Sequence, residues 1–218
     1  TKQLGYIAIP TANHDFQRPN IGTRNTMDQL KVAMTFFLTM PGVPFIYYGD
    51  EIGMKYQMNL PTKEGSNERA GTRTPMQWAA GPTAGFSTCE PARLYFPVDT
   101  EDGKLTVEAQ EKDPNSLLNF TRELVRLRHA HSALHGNGEW ELVSKESQPY
   151  PMVYKRTAGG ETVVVAINPS ARKVSARIPH LGKARPLSMT GEATYKTGGK
   201  GDVINLKAIS AAVFKIIE

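Results

Sequence analysis

Three short stretches of the 218-residue sequence carry side chains whose types and spacing could do chemistry. The first is Asn13-His14-Asp15, directly behind an apolar run from Leu4 to Ala12, with Arg18 three residues further on. Polar triplets at the end of a buried strand are where parallel α/β folds gather ligands and catalytic groups. The same residues also suit a plain turn or helix cap. Arg18 could keep a nearby carboxylate ionised by charge pairing. The second stretch is Asp50-Glu51, which ends Tyr47-Tyr48-Gly49-Asp50-Glu51. Paired carboxylates serve glycoside chemistry when about 5 to 9.5 Å apart, but one acid capping or salt-bridging a loop explains this pair better. The third is Arg73-Thr74-Pro75-Met76-Gln77-Trp78. Arg and Gln can bond sugar hydroxyls while an indole stacks on a ring, or the segment can simply fold around one Trp.

Other chemistries find little support. His129 and His131 are two apart on a predicted helix and point to different faces, whereas helical zinc pairs sit four apart. His14, His135 and His180 lie in unrelated segments, so no metal site is expected. Cys89 has no recognisable base nearby, and neither a nucleophile elbow nor a P-loop occurs. Asn119-Phe120-Thr121 matches a glycosylation acceptor but falls inside a predicted helix.

The elements that must position these residues follow from apolar periodicity. Leu4 to Ala12 reads as a strand buried on both faces. Thr26 to Gln29 has capping-box spacing. Behind it Leu30, Ala33, Met34, Phe37 and Leu38 mark one helical face, stopped at Pro41-Gly42. Val43 to Tyr48 reads as a second buried strand. From Gly49 to about Asp113 no period is sustained, and a connection of that length is usually functional. A second helix is expected from Asp113-Pro114, buried through Leu117, Phe120, Leu124, Leu127 and Leu134. Beyond Gly138 the period becomes two. Met152–Arg156, Thr162–Asn168, Lys173–Ile178, Val203–Leu206 and Ala212–Ile217 read as short strands of a β-sandwich. Two βα units cannot cover a parallel sheet by themselves, so the first half reads as the end of a larger α/β domain.

Composition narrows the classes. Apolar residues make up 39% and charged residues 22%, enough for a packed core. A single cysteine excludes an internal disulfide framework. The net charge of +5 is concentrated after residue 170, yet only Tyr195 and Phe214 interleave aromatics there, which argues against nucleic-acid binding. The most apolar stretch, Val32 to Tyr48, is short of a bilayer span and broken by Pro41-Gly42, so no membrane contact is expected. No secretion signal is visible, but the chain opens on Thr1 rather than Met, so the compartment stays open and a processed or truncated piece is expected.

Taken together, Asn13-His14-Asp15 with Arg18, Met40 to Met54, Arg73 to Trp78, and the Ser116–Phe120 and Arg126–Arg128 helix segments resemble the α-amylase family of glycoside hydrolases (family 13). They stand in family order over about residues 5 to 135. The version of Arg73 to Trp78 is similar to that of the α-glucosidase, oligo-1,6-glucosidase and trehalose synthase subgroup, although Ala79 stands where an acidic or small polar residue often follows. The resemblance implies an α/β plus all-β fold. Residues 1–136 would form the last two βα units of a TIM (β/α)8 barrel, and 137–218 a C-terminal antiparallel β-sandwich.

It further implies that Asp15 is the transition-state stabiliser of a retaining α-glycosidase. His14, Asn13, Arg18 and Arg73 would bind or position the substrate, an α-glucan or α-gluco-oligosaccharide. The family's nucleophile and general acid lie on strands upstream of Thr1, and no Arg-x-Asp strand end replaces the nucleophile here. The chain alone is therefore expected to be inactive without the missing upstream part of its catalytic domain. No cofactor and no metal are implied. The alternatives are a non-catalytic family member or carbohydrate-binding protein and, among enzymes, a transglycosylase or trehalose synthase.

Overall fold

The computed structural model describes residues 6–61, 63, 67–99 and 103–217. The chain divides into two compact units. One comprises Pro10–Leu30 and Phe45–Arg122, the other Thr1–Ile9, Lys31–Pro44 and Glu123–Glu218.

Strand β1 (Ala8–Pro10) and strand β2 (Val43–Phe45) form a two-stranded sheet. Val43 N–H donates to Ile7 O and Thr11 N–H to Phe45 O, each at 2.9 Å. The bonds advance in the same direction along both strands, the mark of a parallel pair. The first residues of the expected Leu4–Ala12 strand lie outside the described residues. The described part is not buried on both faces: Tyr6, Ile7 and Ala8 are exposed, as are Val43, Phe45 and Ile46. An apolar parallel strand is covered by neighbouring strands and helices, and β1 has β2 as its neighbour in this sheet.

Helix α1 (Met27–Thr39) begins at the expected capping box. Gln29 N–H donates to Thr26 Oγ1 at 3.2 Å, and Thr26 N–H donates back to Gln29 Oε1 at 3.1 Å. The long aperiodic connection contains 3-10 turns at Asp50–Ile52, Asn67–Thr72 and Pro91–Arg93. It also contains a short helix, α2 (Val107–Lys112), whose first turn is capped by Thr106. Helix α3 (Leu117–Ala130) starts later than Asp113-Pro114 suggested. Ser116 is the cap, its Oγ accepting from Asn119 N–H at 3.2 Å, while Asp113 turns the chain just ahead by accepting from Asn115 N–H. Asn119 points back onto the carbonyls of Gln110 and Asp113. Gln110 ties the region together by donating to Ile52 O and accepting from Leu118 N–H.

The remaining strands are β3 (Glu139–Leu142), β4 (Met152–Ala158), β5 (Glu161–Asn168), β6 (Val174–Ile178), β7 (Lys183–Thr190), β8 (Ala193–Lys196), β9 (Asp202–Leu206) and β10 (Ser210–Ile217). They form a five-stranded sheet in the order β3-β4-β5-β10-β7 and a three-stranded sheet in the order β6-β9-β8. Val164, Ala166, Ala212 and Phe214 face the small sheet through Ile178, Ile204 and Leu206. Val163, Val165 and Val213 pack on the other side against Val32, Phe36, Leu127 and Leu134. Burial on both faces explains why β5 shows an unbroken apolar run rather than alternation.

Two buried arginines close this second unit by bonding carbonyls, with no carboxylate partner among the described residues. Arg128 donates to the carbonyls of Leu38, Met40 and Gly42 at 2.6–2.8 Å. Arg156 donates to those of Thr39, His135, Gly138 and Glu139. Both meet the carboxyl end of α1, where unpaired carbonyls and the helix dipole favour a cation.

Candidate functional site

The triplet predicted from sequence sits where β1 ends. Thr11 is the pivot of that end. Its hydroxyl donates to Asp50 Oδ2 at 2.6 Å and accepts from Tyr47 N–H at 3.0 Å, so the carboxyl ends of both strands are tied side by side. Asn13 folds the next residues over itself: Oδ1 accepts from the N–H of Asp15 at 2.7 Å and of Phe16 at 2.9 Å. That Asx turn leaves His14 and Asp15 exposed.

Asp15 is gripped from the Asn67–Thr72 turn and the residue after it. Arg69 Nη1 lies 2.7 Å and Arg73 Nη2 3.3 Å from Asp15 Oδ1, while His14 Nε2 stands 3.3 Å from Oδ2. The hydrogen bond from Arg69 is the main reason the Asp15 carboxyl is held below the ordinary aspartate range, with the charges of His14, Arg69 and Arg73 adding to it. Arg73 also donates through Nε to His14 O at 2.9 Å, and Thr72 donates to Asn13 O at 3.1 Å. The turn is thus laced to the triplet at three points. Gly71 permits this: a Cβ there would lie 2.1 Å from Gln57 O, because Gln57 N–H donates to Gly71 O.

Of the parts expected for Arg18, fixing a nearby acid or the substrate, the structure places it on an acid, away from the open face. Its side chain is fully buried, and it donates to Asp50 Oδ1 at 2.8 Å, Tyr48 O at 2.6 Å and Thr72 O at 3.0 Å. The guanidinium also lies over the Tyr47 and Tyr48 rings, 5.0 and 4.9 Å from their centroids. The carboxylate it pairs with is Asp50, equally buried. Burial pushes the Asp50 carboxyl up, while Arg18 and the Thr11 hydroxyl pull it back. The Arg18–Asp50 pair is therefore a strut beneath the site.

Arg69 was not singled out from the sequence. Its turn is 3-10, where residues three apart and not four share a side, so no local spacing joined it to Arg73. Gln77 does not join the site: it is buried and donates to Leu105 O at 2.7 Å. Among the described residues no group of three or more His, Cys, Asp or Glu side chains could hold a metal ion.

With this geometry in place, comparison with known proteins is specific. Residues 3–137 match the family profile described as alpha amylase, catalytic domain, and residues 141–212 match that of the maltogenic amylase C-terminal domain. The chain belongs to the α-amylase family, and its fold is the end of a β/α barrel followed by an antiparallel β-sandwich. It is 31% identical over 216 residues to the trehalose synthase/amylase TreS of Mycobacterium tuberculosis, a match covering 91% of this chain and 35% of that protein. It is 29% identical to an oligo-1,6-glucosidase of Parageobacillus thermoglucosidasius, covering 80% of this chain and 36% of that protein. The chain spans about a third of the length of these relatives. The crystal structure of the A258V variant of the trehalulose synthase MutB, in complex with Tris, superposes with a TM-score of 0.83 at 24% identity. That match covers 97% of this chain and 43% of the other.

Proposed function

We propose that the chain is the C-terminal part of a retaining α-glycosidase acting on α-gluco-oligosaccharides, and that Asp15 is its transition-state stabiliser. The observation that carries this reading is the setting of Asp15. It is an exposed carboxylate kept ionised by Arg69 and Arg73 where a parallel strand ends. An ionised carboxylate there can accept hydrogen bonds from two ring hydroxyls and favour the positive charge that develops on the sugar ring. His14 would donate to the same hydroxyls, Asn13 sets the turn that presents both, and Arg73 fixes the turn from the other side. Arg18 serves the same site at one remove, by holding Asp50 and the Tyr48 and Thr72 carbonyls.

A retaining mechanism also needs a nucleophile and a general acid. In the family these lie on strands upstream of the segment matched here, so the upstream part of the domain is the partner this reading requires. The 218 residues alone should show no turnover. A division of the chain at 136/137 belongs to the same proposal, supported by the two family profiles ending at 137 and starting at 141.

The test is release of glucose from maltose and isomaltose by the polypeptide extended upstream of Thr1, with the 218-residue chain and Asp15→Asn in the extended form alongside. The expected result is an active extended protein, a silent 218-residue chain, and a loss of about 10²–10³-fold or more in Asp15→Asn. Unchanged activity in Asp15→Asn would overturn the role given to Asp15. Because several of the relatives are named trehalose synthases, trehalose should be measured as a product of maltose in the same assay. An extended protein that is silent throughout would favour a non-catalytic family member.

A further inference from the structure

The two sheets of the sandwich have four faces, and among the described residues three of them are covered. The facing sides meet through Val164, Phe214, Ile178 and Ile204. The back of the large sheet is packed by Val32, Phe36, Leu127 and Leu134. The fourth face, the outer side of β6-β9-β8, stays open: Ser175, Arg177, Thr194 and Lys196 are all exposed.

The register decides what this face carries. Ala176, Ile204 and Tyr195 form one cross-strand row that packs inward, so the alternate residues point out. Two outward rows result, Ser175–Asn205–Thr194 and Arg177–Val203–Lys196. The first is a line of neutral hydrogen-bonding groups, with Asn205 Nδ2 donating to Thr194 Oγ1 at 3.2 Å. The second sets two cations on either side of a valine. Two strand spacings separate them, about 10 Å. Like charges at that range still repel at moderate salt, where the Debye length is also about 10 Å.

No carboxylate relieves that repulsion. Arg177 donates to Gly201 O at 3.4 Å, and among the described residues neither it nor Lys196 has an acidic partner. Asp202, beside Val203 in β9, turns inward and is filled by four donors. Glu192, beyond the Thr194 end, is taken by Lys207. Lys173 is exposed and continues the outward alternation of β6 with a further cation. The face thus offers three unpaired cations and a line of neutral donors. A chain of phosphates suits it, because it carries a charge at every link. An extended acidic peptide turns every second side chain away and must immobilise each carboxylate arm at an entropic cost. Nucleic acid carries phosphates too, but no aromatic stands in either outward row for a base to stack on.

We infer that the outer face of β6-β9-β8 binds inorganic polyphosphate, with Arg177 and Lys196 holding successive stretches of the chain and Ser175, Asn205 and Thr194 hydrogen-bonding the oxygens between them. This does not rest on the glycosidase reading. Short-chain polyphosphate titrated into the 218-residue chain should bind saturably by calorimetry. The amide resonances that shift should gather on β6, β9 and β8. With three phosphates neutralised, log affinity should fall against log salt with a slope of about −2, as for single-stranded polyanions.

Arg177→Gln with Lys196→Gln should weaken binding about 25-fold, at about fivefold for each exposed charge pair, and reduce the slope to about −0.7. Lys183→Gln with Arg185→Gln removes the same charge from β7 of the large sheet and should change the affinity little. No saturable binding by the parent chain at low salt overturns the inference. So does an equal loss in the two double variants, which would make net charge the cause. Polyglutamate of equal charge binding as tightly would assign the face to an acidic polypeptide, and single-stranded DNA binding as tightly would assign it to nucleic acid. Either result overturns polyphosphate as the partner.

Discussion

Two aspartates in this molecule are held below the ordinary aspartate range, in opposite surroundings. Asp202, in the sandwich, has a side chain with no solvent exposure. Burial alone would raise its carboxyl. It is instead held at about 2 by the Leu181 N–H at 2.8 Å, the Tyr195 hydroxyl at 2.6 Å, His180 Nδ1 at 2.9 Å and the Gly198 N–H at 3.2 Å. Those donors come from three separate turns and strands, and they use both oxygens. Asp15, at the end of β1, is open to water, and its stabilisers are two arginine side chains and His14. A carboxylate saturated by its own fold has nothing left to offer a ligand. One held by guanidiniums on an open face can exchange them for hydroxyls. The contrast separates an acid saturated by the structure from one that, on the proposed reading, serves chemistry.

The buried Arg18–Asp50 pair tests that distinction most severely, because it lies next to the site yet is enclosed like Asp202. Removing one partner leaves an uncompensated buried charge, at a cost of about 3–5 kcal/mol. Arg18→Met and Asp50→Asn should each lower the stability read from urea unfolding by that amount. Asp15→Asn should leave the unfolding curve close to that of the parent chain, as for a surface change. If Arg18→Met is as mild as Asp15→Asn, the pair is not the strut described here.

Asp202 sharpens the comparison through pH. A carboxyl whose native pKa is lowered contributes stability that is fully present above its unfolded value and is lost as pH falls through the native value. For Asp202 that window runs from about 4 down to about 2. Asp202→Asn should remove of order 2 kcal/mol at neutral pH and flatten stability across that window. Glu161 titrates beside it and must be accounted for. Burial would raise its carboxyl, but Lys215, His131 and the Ala133 N–H hold it at about 2. The acid limb in Asp202→Asn should therefore shrink without vanishing, and an unaltered limb would assign it to Glu161 and other groups.

How much of this was legible depended on whether the signal was local. The capping box at Thr26 and the strands around Val163 and Val213 follow from spacing and apolar content within a few residues. Strand β7 was missed because Pro186, Lys183 and Arg185 argue against a strand. It forms at the sheet edge, where a missing N–H is tolerated, and its register with β10 slips between Val213 and Phe214. At the site, the triplet was visible as a motif. That Arg18 faces Asp50 across 32 positions, and that Arg69 reaches Asp15 across 54, depends on tertiary placement that no local period encodes.

The finest version of the comparison lies within the Asp15 cluster, where two arginines do unequal work. Arg69 makes the shorter bond and is the leading cause of the lowered carboxyl. Arg73 makes a longer contact but also anchors His14 through its carbonyl. Arg69→Gln should therefore move the Asp15 titration upward toward the ordinary aspartate range, while Arg73→Gln moves it less and disturbs the backbone around His14. Both should leave stability little changed, since the groups are partly exposed and solvent-screened. Carboxyl chemical shifts of Asp15 against pH, read beside the His14 amide shift, separate the two effects. An equal rise in both variants would mean that charge alone matters, and that the closer approach of Arg69 has no special part in lowering the Asp15 carboxyl.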